Sequence, residues 1–97
     1  MNYRNIYRAL SVKNALNIYM EIYNGCLTEE YKSFENLRQS FKIGKDSLRR
    51  ITNRLSSCGL IKSLKDTHIG DGRKRIYVVV DLEITENIKN LTNLIMK

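Results

Sequence analysis

Ninety-seven residues, 42% hydrophobic and 28% charged, make one domain with a single modest core, too small for an enzyme with separate cofactor and substrate lobes. The hydrophobic content and the ordered alternation of apolar and polar stretches argue against a disordered chain, and the formal net charge of +7 points to an anionic partner. No apolar run reaches the roughly 18 to 20 residues that span a bilayer, and Met1 to Asn5 lead into no signal-peptide core, so a cytoplasmic protein is expected.

Tyr3, Ile6, Tyr7 and Leu10 recur at helical spacing and predict a short first helix. Ala15, Leu16, Ile18, Tyr19, Ile22 and Tyr23 continue that spacing in a core helix, with Ser11 as its expected N-cap and Asn24-Gly25 as its stop. After a connection around Thr28 to Lys32, Ser33 is placed to cap a brief helix carrying Phe34, Leu37 and Phe41. A turn over Lys42-Ile43-Gly44-Lys45 leads to a helix from about Lys45 to Ser57, with apolar positions Leu48, Ile51, Leu55 and Cys58 and Gly59 as its end.

From Ile61 the pattern changes. Residues Ile61 to Lys65 and the β-branched run Arg75 to Val80 predict two strands, joined by a long hairpin whose tip is Gly70-Asp71-Gly72. Thr85 or a neighbour should cap a last helix in which Ile84, Ile88, Leu91 and Ile95 form a stripe close to a coiled-coil seam.

The positive charge is concentrated in this map. Between Lys42 and Arg75 ten basic residues face three acids, a surplus of seven, while the remaining seven Lys and Arg are balanced by seven Asp and Glu. Such a local surplus reads as a footprint for a polyanion. Cys26 and Cys58 lie far apart, and His68 is the lone histidine, so no metal site and no cofactor are expected. Two buried free thiols are the expected state of the cysteines, with a Cys26 to Cys58 bridge as the alternative. There is no phosphate-binding glycine loop and no pairing of acids suited to proton transfer, which argues against an enzyme. A proline-free composition rich in Ile, Asn, Lys and Tyr suggests an AT-rich genome.

At about 100 degrees per residue, Leu48, Ile51, Leu55 and Cys58 fall on one side of the helix from Lys45, opposite Asp46, Arg49, Arg50, Asn53 and Ser57. Arginine can pair bidentately with guanine and asparagine with adenine, and a helix of this diameter fits the major groove. Ser47, Arg49, Arg50 and Asn53 are therefore candidates for base reading. Lys42, Lys45, Arg54, Arg73, Lys74 and Arg75 are candidates for backbone contact. Alternatively, these cations only solubilise a surface helix and blunt an exposed hairpin edge.

The stretch from Phe41 to Ile61 (FKIGKDSLRRITNRLSSCGLI), with its closing Leu55, Gly59, Leu60 and Ile61, resembles the helix-turn-helix of bacterial and archaeal winged-helix repressors. An archaeal virus or plasmid would be one source of such a chain. It departs from that pattern at Gly44, where Ser or Thr is more usual, and at Thr52, where a larger apolar residue is common. The resemblance implies an α+β, mainly α domain: a winged helix-turn-helix, three helices plus a β-hairpin wing, with its core over 11–80. It further implies a transcription regulator that reads double-stranded DNA with its recognition helix at about 45–57 and touches the adjacent backbone or minor groove with a wing at 66–75. Nonspecific or architectural nucleic-acid binding, or a protein-interaction role, is the alternative. The apolar stripes of the terminal segments 1–10 and 82–97, namely Tyr3, Ile6, Tyr7, Ile84, Ile88, Leu91 and Ile95, predict a homodimer, with a last helix folded back onto its own domain as the alternative. A small-molecule effector is compatible with the resemblance, although no residue points to one.

Overall fold

Among the described residues, five helices and a three-stranded antiparallel sheet follow one another in the order α1 Tyr3–Leu10, α2 Ala15–Thr28, β1 Lys32–Ser33, α3 Phe34–Phe41, α4 Lys45–Ser57, β2 Ile61–Lys65, β3 Arg75–Val79 and α5 Leu82–Ile95. The computed structural model describes residues 3–65 and 75–95, the side chains of Tyr3, Lys65, Lys89 and 91–95 excepted. The tip of the expected hairpin, including His68, Gly70, Asp71, Gly72, Arg73 and Lys74, lies outside the described residues, as do the side chains of Leu91 and Ile95. This succession, with α3 and α4 as a helix-turn-helix and β2–β3 as a hairpin behind it, is the winged-helix arrangement.

The core is built around α2, whose Ala15, Ile18, Tyr19, Ile22 and Tyr23 are buried. Leu37 of α3, Leu48, Ile51 and Leu55 of α4, and Leu60, Ile61 and Val79 of the hairpin close over it. Each such aliphatic side chain contributes on the order of 2 kcal/mol when removed from water. Helix α1 joins the same core through Ile6 and Ala9, packing against α4 and α2. Ile6 is thus consumed within the protomer, which corrects its assignment to a dimer surface; Tyr7, 64% exposed, stays outside.

Both ends of α2 differ from the sequence reading. Ser11 is no N-cap: its amide bonds the Tyr7 carbonyl and its hydroxyl the Arg8 carbonyl, so it finishes α1. The turn into α2 runs through Asn14, whose φ of 71° suits an asparagine better than most side chains. Nor does Asn24-Gly25 stop the helix, which continues to Thr28. Gly25 is there for proximity, since a Cβ on it would stand 2.8 Å from the Glu30 carbonyl oxygen of the returning chain. The reversal itself falls on Glu29, with φ of 59°.

That return creates β1, a two-residue strand absent from the sequence reading, which pairs Lys32 with Tyr77 and Ser33 with Ile76. On the other side of β3, β2 pairs Ile61 with Val79 and Lys65 with Arg75, giving the sheet order β1-β3-β2. Strand β3 ends at Val79, one residue earlier than expected; the Val80 amide instead bonds the Leu60 carbonyl as the chain bends away.

Helix α5 is capped by Asp81, not Thr85. The Asp81 carboxylate accepts from the amides of Glu83 and Ile84 at 2.9 and 3.1 Å. Thr85 instead ties α5 to the core. Fully buried, it donates to the Asp81 carbonyl at 2.8 Å and is hydrogen-bonded to the Tyr19 hydroxyl. One turn further along α2, Tyr23 donates to Glu86. Burial raises the Tyr19 pKa, and the bond to Glu86, with burial second, raises that of Tyr23. Ile84 and Ile88 pack half-buried on the core beside this seam. The first turns of α5 are therefore covered by its own domain.

Cys26 and Cys58 are both free and half-buried. The Cys26 sulfur lies 3.5 Å from the Val79 amide, and the Cys58 thiol donates to the Leu55 carbonyl.

Candidate nucleic-acid interface

The helix-turn-helix is held at three junctions. At the start of α3, the Asn36 amide donates to Ser33 Oγ and the Ser33 amide to Asn36 Oδ1, both at 3.1 Å, closing a reciprocal cap. At its end Lys42 adopts φ 50°, ψ 47°, and its amide and that of Ile43 both reach the Arg38 carbonyl. At the far end of α4, Gly59 takes φ 83° while Leu60 bonds back to Leu55 and Gly59 to Ser56, a Schellman ending that returns the chain into β2. Backbone hydrogen bonds and caps thus define the turn without any proline.

Gly44 precedes α4 in an extended conformation, φ −68°, ψ 155°, and supplies no side-chain cap. The opening amides of α4 keep their partial positive charge, with Asp46 in the first turn as the acidic counterweight.

Leu48, Ile51, Thr52 and Leu55 face the core. Thr52 is 4% exposed and directs its hydroxyl to the Arg49 carbonyl, so it fills an apolar position by satisfying its own polar atom. The opposite face presents Lys45, Asp46, Ser47, Arg49, Arg50, Asn53, Arg54 and Ser57, all exposed. Ion pairs elsewhere join Lys32 to Glu21 at 3.4 Å and Arg38 to Glu35 at 3.2 Å. Lys42, Lys45, Arg49, Arg50 and Arg54 enter none among the described residues, so their charge is available to an incoming anion.

The base-reading candidates Ser47, Arg49, Arg50 and Asn53 thus share one outward face, with Lys45 and Lys42 at its leading edge and Arg54 on its flank. Arg75 stands apart, exposed at the hairpin end of β3, with Nη1 3.4 Å from Ser63 Oγ across the strand pair. Lys62, on β2, is also exposed.

Reading the chain alone missed one cluster. Asn5, Arg8 and Ala9 of α1 and Asn53, Arg54, Ser57 and Cys58 near the end of α4 line an open cleft of about 270 Å³. The available signal was Arg4 and Arg8, one helical turn apart on a first helix that carries no acid. Only the packing of α1 on α4 gives it meaning.

No protein-family model and no curated protein sequence matches the chain. Solved structures do match in shape. Reduced HlyU from Vibrio cholerae superposes with a TM-score of 0.73 at 16% identity, over 95% of this chain and 86% of that one. AF1382 from Archaeoglobus fulgidus gives 0.72 at 17% identity, over 93% and 96%. MarR gives 0.69 at 20% identity, over 93% of this chain and 63% of the longer MarR chain. Identity at this level speaks to the winged-helix fold.

Proposed function

We propose that the chain is a transcription regulator that binds double-stranded DNA in a sequence-specific manner, as a homodimer. The observation that carries this reading is the outer face of α4, where Arg49, Arg50 and Asn53 stand exposed opposite a fully packed inner face. These are the side chains that can pair bidentately with guanine and adenine edges, and they sit on a helix whose inner face is packed into the core and whose C-terminal end is closed by Gly59. Lys42, Lys45 and Arg54 flank them as backbone contacts, with Arg75 and the wing residues Arg73 and Lys74 reaching the adjacent backbone or minor groove. The fold shared with HlyU and MarR, both winged-helix regulators, supports the same reading.

Dimerisation rests on the outer side of α1 with Tyr7 and on the C-terminal half of α5 with Leu91 and Ile95, because Ile6 and the first turns of α5 are used within the domain. Two recognition helices would then face successive major grooves of a pseudo-palindromic site. A monomeric mass at micromolar concentration without DNA would remove this part of the proposal.

Selection of bound duplexes from a random pool at two salt concentrations tests the whole. A recovered motif that persists at the higher salt is expected. Loss of all sequence preference at moderate salt would replace the reading with nonspecific or architectural binding, since phosphate contacts alone are lost as salt rises.

A further inference from the structure

We infer that the cleft between α1 and the end of α4 seats a phosphate of the DNA backbone beside the groove entered by α4, so that α1 is part of the DNA-binding surface; this rests on the duplex-binding function proposed above. The lining brings together two guanidinium-bearing residues, Arg8 and Arg54, two amides, Asn5 and Asn53, and the Ser57 hydroxyl, with no carboxylate among them. Arg8 and Arg54 are exposed, and neither forms an ion pair with a described residue. Two like charges on one cleft without a counter-charge repel each other, and an anion placed between them reverses the sign of that interaction.

The chemistry of the lining selects the anion. Guanidinium, amide and hydroxyl groups all donate hydrogen bonds, and the planar forks of two arginines suit a tetrahedral oxyanion. The cleft is open and below the roughly 300 to 1,000 Å³ usual for sites that enclose an organic ligand, which favours a phosphate carried on a larger molecule. The buried Ala9 and half-buried Cys58 complete its lining where α1 packs on α4. Asn53 and Arg54 belong to both features: they border the groove-facing surface of α4 and line the cleft. A strand held at α4 therefore leads directly to Arg8.

The test measures binding of a mixed-sequence duplex by fluorescence anisotropy across a salt series, for the intact chain, Arg8→Ala, Arg8→Lys, Arg54→Ala and the Arg8→Ala/Arg54→Ala double variant. Circular dichroism melts establish that each exposed-site variant is folded. Arg8→Ala is expected to weaken binding roughly fivefold to tenfold at low salt and to lower the slope of log K against log salt by about 0.9, the signature of one lost phosphate contact. Arg8→Lys should keep the slope. The double variant should lose little more than either single one, because both arginines hold the same phosphate. A wild-type slope in Arg8→Ala, with Arg50→Ala still impaired, overturns the inference and leaves the role of α4 standing. Should the intact chain bind no duplex, the function proposed above fails, and inorganic phosphate decides the cleft. A melting temperature raised by phosphate in the intact chain but not in Arg8→Ala would reassign it to a free phosphate ester, and equal melting in both overturns it as a phosphate site.

Discussion

Lys42 is asked to do two things that conflict, and replacing it with glycine separates them. Its backbone sits at φ 50°, ψ 47°, in the left-handed region, where an L side chain costs roughly 1 to 2 kcal/mol and glycine nothing comparable. Glycine in turn gains freedom in the unfolded chain, worth about 0.4 to 1 kcal/mol against the folded state. The exposed Lys42 side chain enters no ion pair with a described residue, so no such contact is lost. The net expectation for Lys42→Gly is a gain of about 0.5 to 1 kcal/mol, a rise of roughly 2 to 8 °C in melting temperature for a chain of this size. The same change removes a proposed phosphate contact, so duplex binding should weaken and its salt slope should fall by about 0.9. Thermal melting and anisotropy on the same preparation read both effects. A melting temperature at or below that of the unaltered chain refutes the backbone argument, and an unchanged salt slope removes Lys42 from the interface.

Gly25→Ala should lower the melting temperature even though alanine is the better helix former by about 1 kcal/mol, because its Cβ would meet the Glu30 carbonyl at 2.8 Å; a stabilised variant would show that the return after α2 yields easily. Thr85→Val keeps the shape but strips the buried Tyr19 hydroxyl of its partner, and should cost roughly 1 to 3 kcal/mol in urea unfolding. Tyr19 and Tyr23 both titrate higher in the folded state than their ordinary value of 10.0, so the folded chain holds these protons more tightly. Their contribution to stability is therefore complete below pH 10 and is lost as pH rises through the raised folded values, and Tyr19→Phe should blunt that alkaline loss in pH-dependent melts. Arg50→Ala should relax preference at one base pair by roughly 1 to 3 kcal/mol in the selection assay, whereas uniform weakening on every duplex would make Arg50 a phosphate contact.

The elements visible in the sequence are those whose signals are local. Ser33 lies three residues before Asn36, whose side chain closes the cap, and Gly59 follows Leu55 at the spacing a Schellman ending needs, so α3 and α4 were legible to within a residue. The outer face of α4 was legible for the same reason, since helical geometry alone separates Arg49, Arg50 and Asn53 from Leu48, Ile51 and Leu55. Signals that depend on a distant partner failed. Gly25 looks like a helix stop and is in fact a packing glycine, because the residue it accommodates, Glu30, belongs to the next segment. Strand β1 is two residues long and exists only because β3 lies beside it. Thr85 resembles a cap until Tyr19, 66 positions earlier, is seen to claim its hydroxyl, leaving the cap to Asp81.

The distribution of charge shows the same limit in a way that bears on function. Counted along the chain, everything outside Lys42 to Arg75 is neutral, which suggests flanks that only support the basic segment. Folding divides those flanks unequally. Helix α1 carries Arg4 and Arg8 with no acid and packs on α4, whereas Asp81, Glu83 and Glu86 go with α5, which docks on α2. The neutral average thus combines a cationic helix beside the recognition helix with an acidic segment fastened elsewhere, and electrostatic steering toward a polyanion depends on that arrangement rather than on the sum. An N-terminal helix legible only as a dimer element thereby becomes an extension of the α4 surface, and Arg8 is the residue on which the difference can be measured.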